Sequence, residues 1–140
     1  MTANSKAAWR WILAVFFIVA GVNHFANPAP YRSMMPRYFP AHGPLVQISG
    51  IAEMLGGFGI LPPMTRRLAA WGLIVLLVAV FPANVNVALN GWPGVTIPTW
   101  ALWLRLPMQI LLLWAVYRIC LADSTNGPAI EGTGGAAPPP

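Results

Sequence analysis

Charged side chains are scarce. Asp, Glu, Lys and Arg make up 8% of the 140 residues, against roughly 25% in a soluble globular domain. Hydrophobic residues make up 57%. A surface this poor in charge cannot be kept in water, so an ordinary soluble fold is excluded before any segment is located. The net charge of +5 does not point to nucleic acid as a partner. The basic residues stand singly or as the one pair Arg66-Arg67, and no basic stripe forms.

Cysteine is nearly absent. Cys120 is the only one, which excludes an internal disulfide, a C-x-x-C redox pair and a multi-cysteine metal site. It reads as a small apolar packing residue. Histidine is limited to His24 and His42, and neither these nor the distant Glu53 match a usual metal-ligand spacing. There is no glycine-rich phosphate loop, no opposed pair of haem histidines and no Ser-His-Asp set.

What the chain does have is long apolar runs, over residues 7–26, 45–61, 68–89 and 100–122. A helix needs ~17–25 residues to cross ~30 Å of hydrocarbon. The expected fold is therefore all-α: a four-helix transmembrane bundle over residues 1–122, embedded in a lipid bilayer. Lys6 and Arg10 ahead of the first run would suit a signal peptide. The run is long for a signal core, however, and Asn27-Pro28 suits cleavage badly. It is read as a retained span.

Basic residues set the orientation. With four spans, Lys6, Arg10, Arg66, Arg67 and Arg118 share the side of the termini, while Arg32, Arg37 and Arg105 fall on the other. The excess places both termini in the cytoplasm. The outer loop, residues 27–44, carries Pro28, Pro30, Pro36, Pro40 and Pro44 together with Tyr31, Tyr38 and Phe39. Proline at that density prevents one continuous helix. The loop reads either as a connector or as a short cap over the bundle's outer mouth. Residues 123–140 are Gly, Pro, Ala, Ser and Thr with almost nothing large to bury, the composition of a disordered tail.

The polar residues inside the apolar runs carry the functional signal. An ionisable group there costs about 2.5–3.5 kcal/mol on insertion scales and usually faces the bundle interior. At ~1.5 Å per residue, Glu53 lies ~12 Å deep and Arg105 ~8 Å deep, both counted from the outer side. Gln109 is one turn beyond Arg105 on the same face. Asn84 and Asn86 follow Pro82, and His24 follows Asn23 near the outer end of the first run. Every run thus contributes a polar group to one layer in the outer half. Gly50, Gly56, Gly57 and Gly59 allow close approach of neighbouring helices, within the chain or in a homodimer. Two readings of the layer stand side by side. One is a structural network built on a Glu53–Arg105 ion pair, with Gln109, Asn84 and His24 completing its hydrogen bonds; the other is a ligand pocket using the same groups. For His24 taken alone, an interfacial histidine without function is the plainer reading.

The segments together resemble the DoxX family of small four-helix bacterial membrane proteins. The resemblance rests on Gly21-Val22-Asn23-His24-Phe25, on Met35-Pro36, and on Ser49-Gly50-Ile51-Ala52-Glu53-Met54-Leu55-Gly56-Gly57. Val80-Phe81-Pro82-Ala83-Asn84 and Arg105-Leu106-Pro107-Met108-Gln109 complete it, and it covers residues 7–121. It implies an inner-membrane location, an oxidoreductase partner subunit and a quinone among the ligands to consider. The absence of a cysteine pair sets this chain apart from dithiol proteins of similar plan. Within that expectation Glu53 accepts or relays a proton and Arg105 holds a carbonyl or oxyanion. His24, Asn84 and Gln109 serve as hydrogen-bonding partners of the ligand. Two rivals share the same residues: a non-catalytic anchoring subunit and a small oligomeric transporter.

Overall fold

A computed structural model describes residues 3–122; the expected disorder of residues 123–140 lies outside that range. The described residues form α1 (Ala3–Ala26), a short α2 (Pro28–Ser33), α3 (His42–Gly59), α4 (Pro63–Asn90) and α5 (Thr99–Val116). A π-helical turn, Tyr117–Leu121, continues α5. All regular structure among these residues is helical. Three stretches are long and apolar enough to cross a membrane: Asn4–Ala26, Pro63–Asn90 and Thr99–Leu121. The exteriors agree with that character, with Val15, Val19, Val75, Val78, Ile110 and Trp114 all more than half exposed. A soluble monomer rarely presents such continuous apolar surface.

Helix boundaries depart from the sequence expectation where proline was taken as a breaker. Pro63 and Pro44 lie in the first turns of α4 and α3, where a missing N–H costs nothing because no intrahelical acceptor awaits it. Arg66 and Arg67 therefore belong to α4 rather than to a loop. Pro82 and Pro107 both sit inside continuous helices. Gly91 ends α4 at φ 78°, a left-handed position that a Cβ disfavours.

Arg66 has a structural task. Its Nε donates to the Ile60 carbonyl at 3.1 Å and its Nη2 to the Leu61 carbonyl at 2.9 Å, while Thr65 Oγ1 donates to Gly59 at 2.8 Å. The first turn of α4 thereby satisfies carbonyls left over at the end of α3. The Arg66→Ala variant is expected to lose about 1 kcal/mol, seen as a lower unfolding midpoint in detergent, with no change at the opposite end of the bundle.

α3 is the central helix, packed against α1 on one side and α4 on the other; α5 packs against α4. The π-helical turn meets α1, and Val116 at the end of α5 shares a buried core with Phe17 of α1. Two glycine pairs let α3 fit between its neighbours. A Cβ on Gly50 or Gly57 would strike α1, and one on Gly56 or Gly59 would strike Leu73 or Ala69 of α4. The larger apolar core lies at the end of the bundle that carries the π-turn, around Phe17, Ile60, Leu73 and Val116. A smaller cluster of Met34, Val87 and Leu102 closes the opposite end. The interior between them is not filled.

Candidate ligand site

Between the two apolar clusters lies a cavity of about 580 Å³, within the ~300–1,000 Å³ range of small-molecule sites. His24, Glu53, Asn84, Arg105 and Gln109 all line it. Five side chains from four helices, picked out by depth alone, thus face one space. The rest of the wall is mainly apolar, including Phe17, Leu77, Val80 and Leu112.

The polar groups form two poles. At the first, Glu53 of α3 faces His24 of α1, with Oε2 3.3 Å from Nδ1. The same Nδ1 lies 3.2 Å from the Ala20 carbonyl, so it stands between two oxygens. Glu53 Oε2 is buried with no hydrogen-bond partner, despite its closeness to the ring. His24 is buried, and Tyr31 of α2 stacks on it with ring centroids 3.8 Å apart. The Tyr31 hydroxyl accepts from Asn23 Nδ2 at 2.7 Å. Gly50 makes this pole possible, because a Cβ there would lie 2.8 Å from His24 Cβ.

At the second pole, Arg105 Nε and Nη2 donate to Asn84 Oδ1 at 3.3 and 3.2 Å. Asn84 Nδ2 donates to Gln109 Oε1 at 2.7 Å. Gln109 Nε2 in turn donates to the Leu77 carbonyl, on the turn of α4 that precedes Pro82. The Arg105 guanidinium lies over the Trp92 ring, 4.6 Å from its centroid, a cation–π arrangement. Trp92 Nε1 donates to the Pro30 carbonyl at 2.8 Å, tying α2 to the connection between α4 and α5.

One sequence expectation is corrected here. Glu53 and Arg105 do not pair: the glutamate faces His24 and the arginine bonds Asn84. His24 is buried among its neighbours, 6% exposed. Asn86 turns away from the layer and donates to the Met34 carbonyl at 3.0 Å. The contributions of Tyr31, Met34 and Met35 to the cavity wall were foreshadowed only by their apolar bulk in a loop. No group of His, Cys, Asp and Glu among the described residues could hold a metal ion.

The molecule is thus an all-helical protein of membrane-spanning character that encloses a mostly apolar cavity with two separate polar poles. The family model described as a domain of unknown function, DUF8561, matches residues 13–120, and the chain belongs to that family. The match spans every helix that lines the cavity. No curated protein and no solved structure matches the chain.

Proposed function

We propose that this is a DoxX-like, four-span protein of the bacterial inner membrane with both termini cytoplasmic. Its cavity binds a quinone-like or other lipophilic molecule in support of an oxidoreductase. The observation that carries this reading is the cavity itself, apolar along most of its wall and hydrogen-bonding at two poles on different helices. α3 serves as the fourth span. Its 18 residues extend ~27 Å, and Ile48, Ile51, Leu55 and Phe58 form an exposed apolar stripe on its outer face.

Each pole has a chemical role. Arg105 has five N–H donors and places two on Asn84, which leaves three for a ligand oxygen. Glu53, with one oxygen lacking a hydrogen-bond partner, holds or relays a proton across the cavity from that oxygen. His24 orients Glu53. Asn84 and Gln109 are bonded to each other and to Leu77, so they position Arg105 more than they contact the ligand. In this reading an oxidoreductase partner subunit supplies the electrons, and this chain holds the ligand.

The test is mass spectrometry of solvent extracts from gently purified protein. Wild type is expected to carry a quinone or other lipid near one per chain, and folded Glu53→Gln and Arg105→Ala variants to lose it. Retention by both variants would overturn the role assignment. An empty wild type that instead co-purifies with a partner protein would favour the anchoring reading, which the fully bonded Asn84–Gln109 pair also suits.

A further inference from the structure

The charge balance of the cavity and the place where it opens narrow the class of ligand. Of the three acidic residues in the chain, Glu53 is the only one among the described residues. It lies against His24 rather than within ion-pair distance of Arg105. The guanidinium therefore stands at a mostly apolar cavity, with a neutral amide, an indole face and the Tyr31 phenol as its neighbours and no carboxylate within ion-pair distance. Arginine near a helix end can snorkel to the head-group region. This one instead turns inward, onto Asn84 of the adjacent helix. A cation in a low-dielectric setting without a counter-charge is costly, and the opposite charge that relieves it has to come from what the cavity holds.

The opening supplies the second half of the argument. Phe16 of α1 and Met108 and Leu111 of α5 line the cavity, yet are 52%, 58% and 62% exposed. They mark a mouth on the side of the bundle, between α1 and α5, whose packing on each other is slight. Its rim is apolar and belongs to the two stretches that are themselves apolar enough to span a membrane. A ligand using this mouth has a hydrocarbon tail.

We infer that the ligand is an anionic amphiphile, its acidic oxygen on Arg105 and its tail leaving between α1 and α5 past Phe16 and Leu111. This rests on the reading of the cavity as a ligand site and specifies what that site takes. Carboxylates and phosphates both present such an oxygen to the planar guanidinium fork, and the probes separate them.

The experiment measures binding of oleic acid, oleyl phosphate and methyl oleate to the full chain in neutral detergent, alongside a short-tailed ubiquinone analogue. Wild type is expected to bind at least one of the two anions ten-fold or more tighter than the ester. Whichever anion binds identifies the head group as carboxylate or phosphate. The preference should vanish in Arg105→Gln and persist in Arg105→Lys, which keeps the charge. Phe16→Trp, at the rim, should slow association several-fold. Equal binding of acid, phosphate and ester, or an anion preference that survives in Arg105→Gln, would overturn the inference while leaving the cavity a lipophilic site. Binding of the quinone analogue alone would do the same. Absence of binding by every probe would overturn the ligand-site reading together with the inference.

Discussion

Replacing Glu53 with methionine is expected to raise the stability of the folded bundle by about 1–3 kcal/mol while abolishing ligand retention. Removing one member of a buried charged pair is ordinarily harmful, because it strands the other. Here the partner is a histidine whose Nδ1 also has the Ala20 carbonyl 3.2 Å away, so it is not left without a polar neighbour. What the substitution removes is a carboxylate with an oxygen that no donor satisfies. Methionine has similar length and adapts to irregular apolar space. Thermal unfolding in detergent, read beside lipid content by mass spectrometry, checks both halves of the expectation. A fall in the midpoint would show that Glu53 holds the helices together, and the packing-network reading would then replace the ligand reading. A protein that keeps such a group at a cost to its own stability has a use for it.

The opposite sign is expected at Gly50. A Cβ at that position would lie 2.8 Å from His24 Cβ and 3.0 Å from both the Gly21 carbonyl oxygen and Phe25 Cε2. Two of these neighbours are backbone or Cβ atoms that cannot swing aside. Gly50→Val should therefore separate α1 from α3 and cost about 3 kcal/mol or more, at the upper end of overpacking penalties. It should empty the cavity as well, because His24 cannot stay in place. Gly72 is the control. Nothing lies within 4 Å of a Cβ there, so Gly72→Ala should be neutral or stabilising by up to ~1 kcal/mol, through helix propensity. If the two variants unfold at similar temperatures, close α1–α3 contact is not what fixes this side of the site.

Depth was legible in the sequence, and azimuth was not. Counting residues from the outer ends of the apolar runs put His24, Glu53, Asn84, Arg105 and Gln109 in one layer, and they do share one cavity. Which of them touch depends on how far each helix is turned about its axis. That is set by tertiary packing, here by Gly50 and Gly57 against α1 and Gly56 and Gly59 against α4. The glycines were visible as a close-packing signal, but a spacing of six or seven residues does not tell which neighbour each one meets. The Glu53–Arg105 pair was accordingly the wrong guess, and Glu53–His24 the observed one. The short α2 was hidden because Pro28 and Pro30 read as helix breakers, although Pro at the first helical positions is compatible with a helix. The π-helical turn at Tyr117–Leu121 had no sequence signal that we recognise.

The ring of helices closes at that turn, and this has a consequence for how the protein comes into being. α1 meets α3, α3 meets α4 and α4 meets α5, so each long helix finds its main partner in the long helix made just before or after it. Such local order favours fast, stepwise assembly as the chain emerges. The contact that joins the last described segment to the first, between Tyr117–Leu121 and α1, can form only once those residues have been made. Until then the space lined by Phe16, Leu112 and Ala115 is an open trough. The cavity is thus among the last features of residues 3–122 to take shape, and a chain stalled before Tyr117 would have its five polar side chains without a complete wall around them.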